Sequence, residues 1–537
     1  MRVLSPPSLK GRRRGWDRSR ITIRLPQANP PPAPSFQGGE KYRRNRRRWA
    51  FASFALLVAG CTAGPNYHVP EGSTAKEPAA TGPFVNSVEP AFSGAPLPTR
   101  WWHLYDDARL DGYIQEALAA NTDLRAADAN LRRAAFAIRE AQSARTIGTT
   151  IEGQAEQTRF GGIDALDVAG TSYALGAGLT YPLDLAGGIR RSIEAARADA
   201  QAVEATRDQV RVTVAASVAR NYVGVCSANR SIAAAEHVVA VQRTTLNAIT
   251  RLFHGGRDTA FDVTRAQAAV DQSLASIPPI VAERQAGLYA IAALMGRPTA
   301  NFPRELIDCP APPEIKRPLP IGDGGALIRR RPDIRSAERS LAAATASIGV
   351  ATAALYPQVS LGAMIGIAGP FSTFGTSESW GGNIGPAVSW SFPNQIAVRA
   401  RISEAGAAAE AASAQFDGTV LTALQQTETA LSAYAREIEH DRALARARDS
   451  AAKAVDQANR LFTFGRTDLL SLLTVQANLA TAETALAASQ ATLADDQVNV
   501  FLALGGGWED QQPIPSTAPH LKGALKTMPQ VSPNNSR

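Results

Sequence analysis

Aromatic side chains make up only 6% of the 537 residues, and alanine supplies most of the apolar quota. That argues against one large enzyme core of bulky packed layers and suits long helices packed closely through small side chains. The six histidines (His68, His103, His237, His254, His440 and His520) are scattered, with no metal-ligand spacing such as H-E-x-x-H. There is no Walker loop and no nucleophile elbow. The stretch "GGRDTAF" from Gly255 is too short for a phosphate loop and opens no βαβ unit. No catalytic residue, metal or cofactor is therefore expected. The folded part also lacks positive charge. Residues 1–50 hold 14 Lys and Arg against 2 Asp and Glu, so the net +8 of the chain leaves residues 51–537 at −4. Without a folded basic stripe, nucleic-acid binding is not expected.

The basic surplus belongs to a leader. Arg43, Arg44, Arg46, Arg47 and Arg48 precede an apolar run, Trp49–Gly60, of 12 residues. A spanning helix needs about 20; a basic stretch followed by a short apolar one is the pattern of an export signal. The string Leu57-Val58-Ala59-Gly60-Cys61 looks like a bacterial lipobox, in which the cysteine sulfur is diacylated and becomes the first mature residue. The alternative is an ordinary signal peptide that contains a cysteine. Residues 1–60 are read as leader: 41–60 the lipoprotein signal peptide, and the Pro- and Arg-rich 1–40 a long n-region or a start placed too early. Export places the other two cysteines, Cys226 and Cys309, in an oxidising compartment. Sequence alone leaves open whether they form one disulfide or stay two buried thiols.

The rest of the chain repeats itself at an offset of 209–210 residues. "DLRAADANLRRAAFAIREAQSA" from Asp123 aligns with "DIRSAERSLAAATASIGVATAA" from Asp333. "LTYPLDLAGGIRRSI" from Leu179 aligns with "VSWSFPNQIAVRARI" from Val388, and "RLFHGGRDTAF" from Arg251 with "RLFTFGRTDLL" from Arg460. The halves close on "ALMG" from Ala293 and "ALGG" from Ala503. This predicts a duplicated helix–β-hairpin–long helix–helix unit. Repeat 1 covers 105–300, with strands at about 147–160 and 171–183 and a long helix at 187–253. Repeat 2 covers 327–506, with strands at about 357–368 and 380–392 and a long helix at 395–462. Each long helix leads through a tight turn into a returning helix, at about 259–295 and 467–504. Residues 61–104 are expected as an extended linker, 301–326 as an equatorial linker and 507–537 as a largely disordered tail. At 1.5 Å per residue, such long helices reach on the order of 100 Å.

The strand pattern carries a membrane signal. In "YALGAGLTY", Tyr173, Leu175, Ala177, Leu179 and Tyr181 share one face, and Ala174, Gly176, Gly178 and Thr180 the other. In "WGGNIGPAVSW", Trp380, Ile384, Val388 and Trp390 share a face. Outer-membrane barrels use strands of about this length with aromatic girdles at both interfaces and a polar lumen; here Tyr173, Tyr181, Trp380 and Trp390 are the girdle candidates. Glu152, Gln154 and Glu156 lie together on one side of the first strand, as lumen residues biasing against anions. Four strands cannot close a barrel, and lipid tolerates no open sheet edge. More than one subunit is required.

Together these features resemble the TolC-like outer-membrane efflux factors, in the lipoprotein branch that serves RND-type, proton-driven tripartite pumps. "CTAGPNYHVP" (from Cys61) is similar to the family's mature start. "RWWHLYDDARLDGYIQEALAANTDLRAA" (from Arg100) and "LIRRRPDIRSAERSLAAATASIGVATAALYPQVSL" (from Leu327) resemble its two characteristic blocks. The resemblance implies a mainly α chain with a small membrane β portion. It also implies a homotrimer, with a 12-stranded β-barrel on a long α-helical barrel, lipid-anchored in the outer membrane of a Gram-negative bacterium and reaching into the periplasm. Its partners would be outer-membrane lipid, a periplasmic adaptor and, through the adaptor, an inner-membrane pump.

By the same resemblance the two turns are adaptor-contacting tips: Phe253, Gly256, Arg257, Phe462, Gly465 and Arg466. Gly255, Gly256 and Gly465 also suit left-handed helix caps. Family members constrict the tube just past the second tip with leucine and an Asp/Arg layer. Here "DLLSLLTVQAN" from Asp468 keeps Leu470 but holds Thr474 and Ala477 at the usually charged positions. The gate candidates are Leu470 and Leu473, with Asp262 and Arg265 as ionic partners; the alternative is that the leucines only pack between helices. "SFPNQIAVRA" from Ser391 likewise replaces the family's Gly-rich aspartate turn, and Pro393 and Asn394 can still make that turn. The rival function is a lipid-anchored helical scaffold or adaptor that spans the periplasm without a pore.

Overall fold

Two helices of 67 and 68 residues set the length of the protein. The computed structural model describes residues 62–160 and 168–508, all within one compact unit, Cys61–Arg537. The leader, the lipidation candidate Cys61, residues 161–167 and residues 509–537 lie outside the described residues. In chain order the elements are α1 (Pro78–Thr81), β1 (Phe92–Ser93), α2 (Ala108–Ala120), α3 (Thr122–Ser143), β2 (Gly148–Phe160), β3 (Val168–Leu183), α4 (Gly188–His254), α5 (Ala260–Ala275) and α6 (Ile277–Leu294). Then come β4 (Leu319–Pro320), α7 (Gly324–Arg330), α8 (Pro332–Ala353), β5 (Gln358–Pro370), β6 (Trp380–Ser389), α9 (Ile396–Thr463) and α10 (Leu469–Ala503). The order helix, hairpin strand pair, long helix and returning helix thus recurs in both halves.

Neither long helix contains a proline, and both are rich in alanine, which costs least in a helix interior. α4 and α9 run past every other helix. Towards the sheet, α3, α4, α8 and α9 lie side by side in that order. Away from it, α5 and α6 replace α3 on the flank of α4, and α10 lies between α4 and α9. The returning helix of the first half is broken at Ser276, whereas α10 is continuous over 35 residues. The expected single helix over 259–295 is therefore two. Pro278 and Pro279 cause the break, since neither offers an N–H to the preceding turn.

The largest cluster of buried bulky residues lies at the waist, where the helix sets change over. Trp101 stacks on Phe501 with ring centroids 4.7 Å apart, and Trp102, Tyr105, Tyr222, Met295 and Leu306 fill the same core. β1 and β4 pair in parallel there, joining the N-terminal linker to the segment between the halves. Arg331 is buried, and its charge is fully engaged: it donates to the Asp333 carboxylate at 2.6 and 3.0 Å, to Gln426 and to the Ala503 carbonyl. A buried cation is tolerated only when paired in this way. Gly507 packs on Trp101 and Trp102, and Trp508 lies over Arg335 at 4.6 Å, so these two residues, expected to open a disordered tail, belong to the core.

The N-terminal segment is strapped along the outside of this frame. The buried Arg191 side chain donates to the carbonyls of Ala63 and Gly64 and to Asn66 Oδ1 (2.8–3.1 Å). Ser73 donates to Asp417 at 2.6 Å, the Val85 N–H donates to Glu428, and Glu89 pairs with Arg436. From Asp417 to Arg436 the strap descends 19 residues of α9, about 28 Å.

Cys226 on α4 and Cys309 form a disulfide with Cα atoms 5.2 Å apart, beside Asn229, whose Nδ2 donates to the Leu306 and Cys309 carbonyls. The bridge was open in the sequence and closed in the fold. It ties the inter-half segment to α4 across 83 residues, a loop length at which a bridge contributes about 4.5 kcal/mol in chain-entropy terms. Cys309→Ser is expected to free the inter-half segment enough for trypsin to cut after Arg304 and Lys316 while α4 and α9 stay resistant. An unchanged digestion pattern would show that core contacts alone hold the segment.

Candidate functional site

The sheet has the order β2-β3-β5-β6, antiparallel throughout. Its register aligns the apolar positions of all four strands on one face. Ile151 lies opposite Ala177, and Ala177 opposite Ile365; Leu179 lies opposite Ala363, and Ala363 opposite Ile384; Leu175, Ile367 and Trp380 form a third row. This face is bare: Ile151 is 82% and Ile384 87% exposed. The other face carries Glu152, Gly176, Gly366 and Gly381 in one row and Gly178, Met364 and Asn383 in another. Gly366 is required there, since a Cβ would stand 2.5 Å from the Leu175 carbonyl oxygen. The sheet thus has one apolar and one small-polar face, with β2 and β6 paired on one side only.

Three of the four girdle candidates, Tyr181, Trp380 and Trp390, are exposed. Trp390 stacks on Phe392 at 4.6 Å and donates its ring N–H to the Leu355 carbonyl, which also accepts from Gln395. Tyr173 departs from the expectation at 7% exposure. Its ring packs edge-on against Phe371 and Phe374, and its hydroxyl donates to the Thr373 carbonyl. Phe371 and Phe374 join Trp380 as outward aromatics at that end; they sit in the β5–β6 loop, where strand periodicity gives no signal.

At the far ends of α4 and α9 the two halves close their turns with the same backbone. Gly256 (φ 68°) and Gly465 (φ 67°) adopt the left-handed conformation. The Gly256 N–H donates to Phe253 O and the Arg257 N–H to Leu252 O; the Gly465 N–H donates to Phe462 O and the Arg466 N–H to Leu461 O. These are the paired bonds of a Schellman cap. Gly255 is not left-handed (φ −81°), and Phe464 occupies its place in the other turn.

Beyond the turns, Thr259 caps α5: its Oγ1 accepts from the Asp262 N–H, and its hydroxyl donates to the Asp262 carboxylate at 2.6 Å. Asp468 caps α10 by accepting from the Ser471 N–H at 2.7 Å. The capping positions correspond between the halves, with hydroxyl and carboxylate exchanged. The Thr259 hydroxyl, and then Asp258, hold Asp262 below the ordinary carboxylate range, and Ser471 does the same for Asp468. Desolvation, with Asp262 alongside, raises Asp258.

The two turns flank a cleft of about 1110 Å³, lined by Arg257, Asp262 and Arg265 from one side and Phe462, Gly465 and Leu470 from the other. Three of the four gate candidates therefore meet there. Leu473 is half-buried and does not line the cleft. Within one chain, Asp262 is engaged by Thr259, while the Arg265 guanidinium lies over the Phe261 ring at 5.3 Å. Thr474, at a usually charged position, donates to the Leu470 carbonyl on its own helix. Sequence reading missed the two most exposed aromatics of the tips, Phe261 (69%) and Phe464 (78%). Phe261 aligns with Leu470, and that shared apolar position was the available signal.

The profile of the outer membrane efflux protein family matches residues 113–297 and again 325–506. Nodulation protein T of Rhizobium leguminosarum bv. trifolii is 27% identical over 465 residues, spanning 86% of this chain and 97% of that protein. Outer membrane protein OprJ of Pseudomonas aeruginosa is 28% identical over 490 residues, spanning 86% and 97%. Among solved structures, the outer-membrane channel OprN superposes with a TM-score of 0.76 at 32% identity, covering 83% of this chain and 100% of that one. The open-state MtrE outer membrane channel of Neisseria gonorrhoeae superposes at 0.71 with 25% identity, covering 83% and 99%. The chain, with its bare sheet at one end and its paired capped turns at the other, belongs to the outer membrane efflux protein family.

Proposed function

We propose that three copies of this chain form the outer-membrane exit duct of a tripartite efflux pump. The observation that carries the proposal is the sheet: four strands with a bare apolar face, a small-polar face and two open edges. Lipid requires every backbone donor and acceptor to be paired, and three copies pool 12 strands, within the range of outer-membrane barrels. The apolar face meets lipid, Glu152 and Glu156 face the lumen, and Tyr181, Trp380, Trp390, Phe371 and Phe374 stand at the interfaces. The two halves derive from an internal duplication, and their long helices continue the duct through the periplasm. A scaffold without a pore has no use for such a sheet.

The capped turns dock a periplasmic adaptor that links to an RND-type inner-membrane pump. Phe253, Gly256, Arg257, Phe462, Gly465 and Arg466 supply the contact. The duct catalyses nothing and conducts small molecules passively, with drugs or other cargo selected by the pump. Leu470, with Asp262 and Arg265 at the same cleft, narrows the periplasmic end. Cys61 carries the acyl chains; one chain anchors only marginally, so two or three are used. From there the strap held by Arg191 leads down α9.

The purified lipoprotein is expected to migrate as a heat-modifiable trimer from outer-membrane fractions and to conduct ions in planar bilayers. Monomer in the soluble periplasm, or a trimer without conductance, would contradict the proposal. Leu470→Ser is expected to raise basal conductance severalfold and to leak antibiotic into the cell; unchanged conductance counts against a leucine constriction. Cys61→Ser behind a conventional signal peptide is expected to keep forming trimers, since the strands already hold the barrel in the membrane. Soluble monomer alone would assign the lipid a larger role.

A further inference from the structure

In the layer next to the sheet, α3, α4, α8 and α9 stand side by side, so among the described residues α3 has one flank without a neighbour and α9 has the other. On α3 the bare flank carries Arg125, Ala129, Arg132, Phe136, Arg139 and Ser143. On α9 it carries Ala397, Ala400, Glu404, Ala407, Ala411 and Ala414. All are exposed, Phe136 at 57%. Each row steps by three and four residues in turn, the spacing of a coiled-coil seam.

The repeat shows what covers such rows. At its offsets of 210 and 209 residues, the equivalents are the row from Arg335 to Ala353 on α8 and the row from Gly188 to Ala205 on α4. Those two rows cover each other, and none of their residues is exposed. A Cβ on Gly188 would stand 3.0 Å from Ala353 Cβ, and one on Gly349 would stand 2.7 Å from Arg191 Cγ. Ala198 and Ala342 share one buried cluster, and the Thr206 and Ser336 hydroxyls are 3.2 Å apart. The helices are therefore antiparallel, in a register that sets Ala346 against Ala195. At the waist end Arg335 pairs with Asp208 at 3.4 Å. The equivalents of that pair are Arg125 and Asp417, one on each flanking helix. Ser73 and Thr74 of the strap both donate to Asp417 Oδ1, which leaves Oδ2 for a further donor. Size is complementary as well. Where α4 and α8 set the large Arg191 against Gly349, the bare rows offer Ala400 and Arg139, so the large residue has changed sides. Where they set Ala195 against Ala346, the bare rows offer Glu404 and Phe136, with Arg132 and Arg139 one turn to either side of Phe136.

We infer that α9 of one copy packs on α3 of the next in the register of α4 on α8. Phe136 then sits in the hole formed by Ala400, Ser403, Glu404 and Ala407, Glu404 lies between Arg132 and Arg139, and Arg125 reaches Asp417 Oδ2. The occupant is a second copy because the chain already covers the same surface once with its own repeat. Closing β2 on β6 also brings α3, which precedes β2, to α9, which follows β6. The basic row cannot pair with itself without setting arginine against arginine, so the contact is head to tail, the kind that closes rings. The inference rests on the proposed edge-to-edge assembly, but it requires neither conduction nor a given number of copies.

Two differently tagged versions of the full-length lipoprotein, one Ser143→Cys and the other Ala397→Cys, are co-expressed and oxidised in outer-membrane vesicles. These positions are the equivalents of Ala353 and Gly188, whose separation is close to the Cβ spacing of a disulfide, about 3.8 Å. A product carrying both tags is expected. Ser143→Cys with Ala407→Cys, about 15 Å out of register, should give about tenfold less. No mixed product in register, as when residues 509–537 cover the flank, overturns the inference, and so does an equal yield out of register. Glu404→Arg should lower the temperature at which the copies dissociate on semi-native gels by several degrees, with helix content by circular dichroism unchanged. Adding Arg132→Glu and Arg139→Glu should restore it. An unaltered dissociation temperature in Glu404→Arg, or no rescue by the added pair, overturns the placement of Glu404 in the seam. Bilayer conductance of the same preparations separates the two claims. Conductance without the mixed product keeps the duct and removes the seam; the mixed product without conductance keeps the seam and removes the duct.

Discussion

A peptide N–H or C=O without a partner costs several kcal/mol in hydrocarbon, and the sheet of this protein has two edges of such groups, on β2 and β6. The apolar face, bare from Ile151 to Ile384, suits lipid. The edges do not, and no element among the described residues pairs with them. The remainder of the proposed assembly follows from closing them. In that assembly copies meet edge to edge, so their helix layers meet as well, and α4 and α9, which follow β3 and β6, run on into the periplasm with α8 and then α10 between them. The proposed tube takes in the long helices as well as the strands, because the chain passes from sheet to helix through fixed contacts: Asp184 caps the start of α4 through the N–H groups of Ile189 and Arg190, and Trp390 and Gln395 both donate to the Leu355 carbonyl where α9 begins.

The two halves meet the same demands with different residues. At the tips, Thr259 with Asp262 and Asp468 with Ser471 exchange hydroxyl and carboxylate around one capping geometry. Where the first returning helix breaks at Ser276 before Pro278 and Pro279, the second runs on unbroken. Ser276 and Ile280 line a groove beside α4 whose opposite wall is the continuous α10, so the asymmetry between the repeats falls at that groove. The waist holds what the long helices cannot supply for themselves: stacked aromatics, a buried and fully paired Arg331, and the Cys226–Cys309 bridge.

Much of this was legible in the sequence, because periodicity and internal repetition are properties of single elements. The long helices expected over 187–253 and 395–462 lie within one residue of Gly188–His254 and Ile396–Thr463. The face assignments of Tyr173 to Tyr181 and of Trp380 to Val388 are those of the register. What sequence missed depends on contacts between elements. Tyr173 has the right strand parity for the outer face, but a loop distant in sequence folds Phe371 and Phe374 over it. Leu473 sits near Leu470 in sequence but does not share its cleft. The partner of Cys226 is fixed by the approach of the inter-half segment to α4, which no local pattern encodes. Pro278-Pro279 was visible, and the helical pattern on both sides outweighed it.

The central claim is that β2 of one copy closes on β6 of another and that the ring holds three chains. Cysteine cross-linking across those edges tests it most directly. One cysteine at Gln154 on β2 is combined in turn with one at Gly381, Asn383 or Gly385 on β6, all on the small-polar face, and oxidised in outer-membrane vesicles. A ladder of cross-linked species that stops at three chains, for at least one register, is the predicted result. A ladder that continues beyond three, or no intermolecular cross-link at any register, would contradict edge-to-edge closure of a trimer.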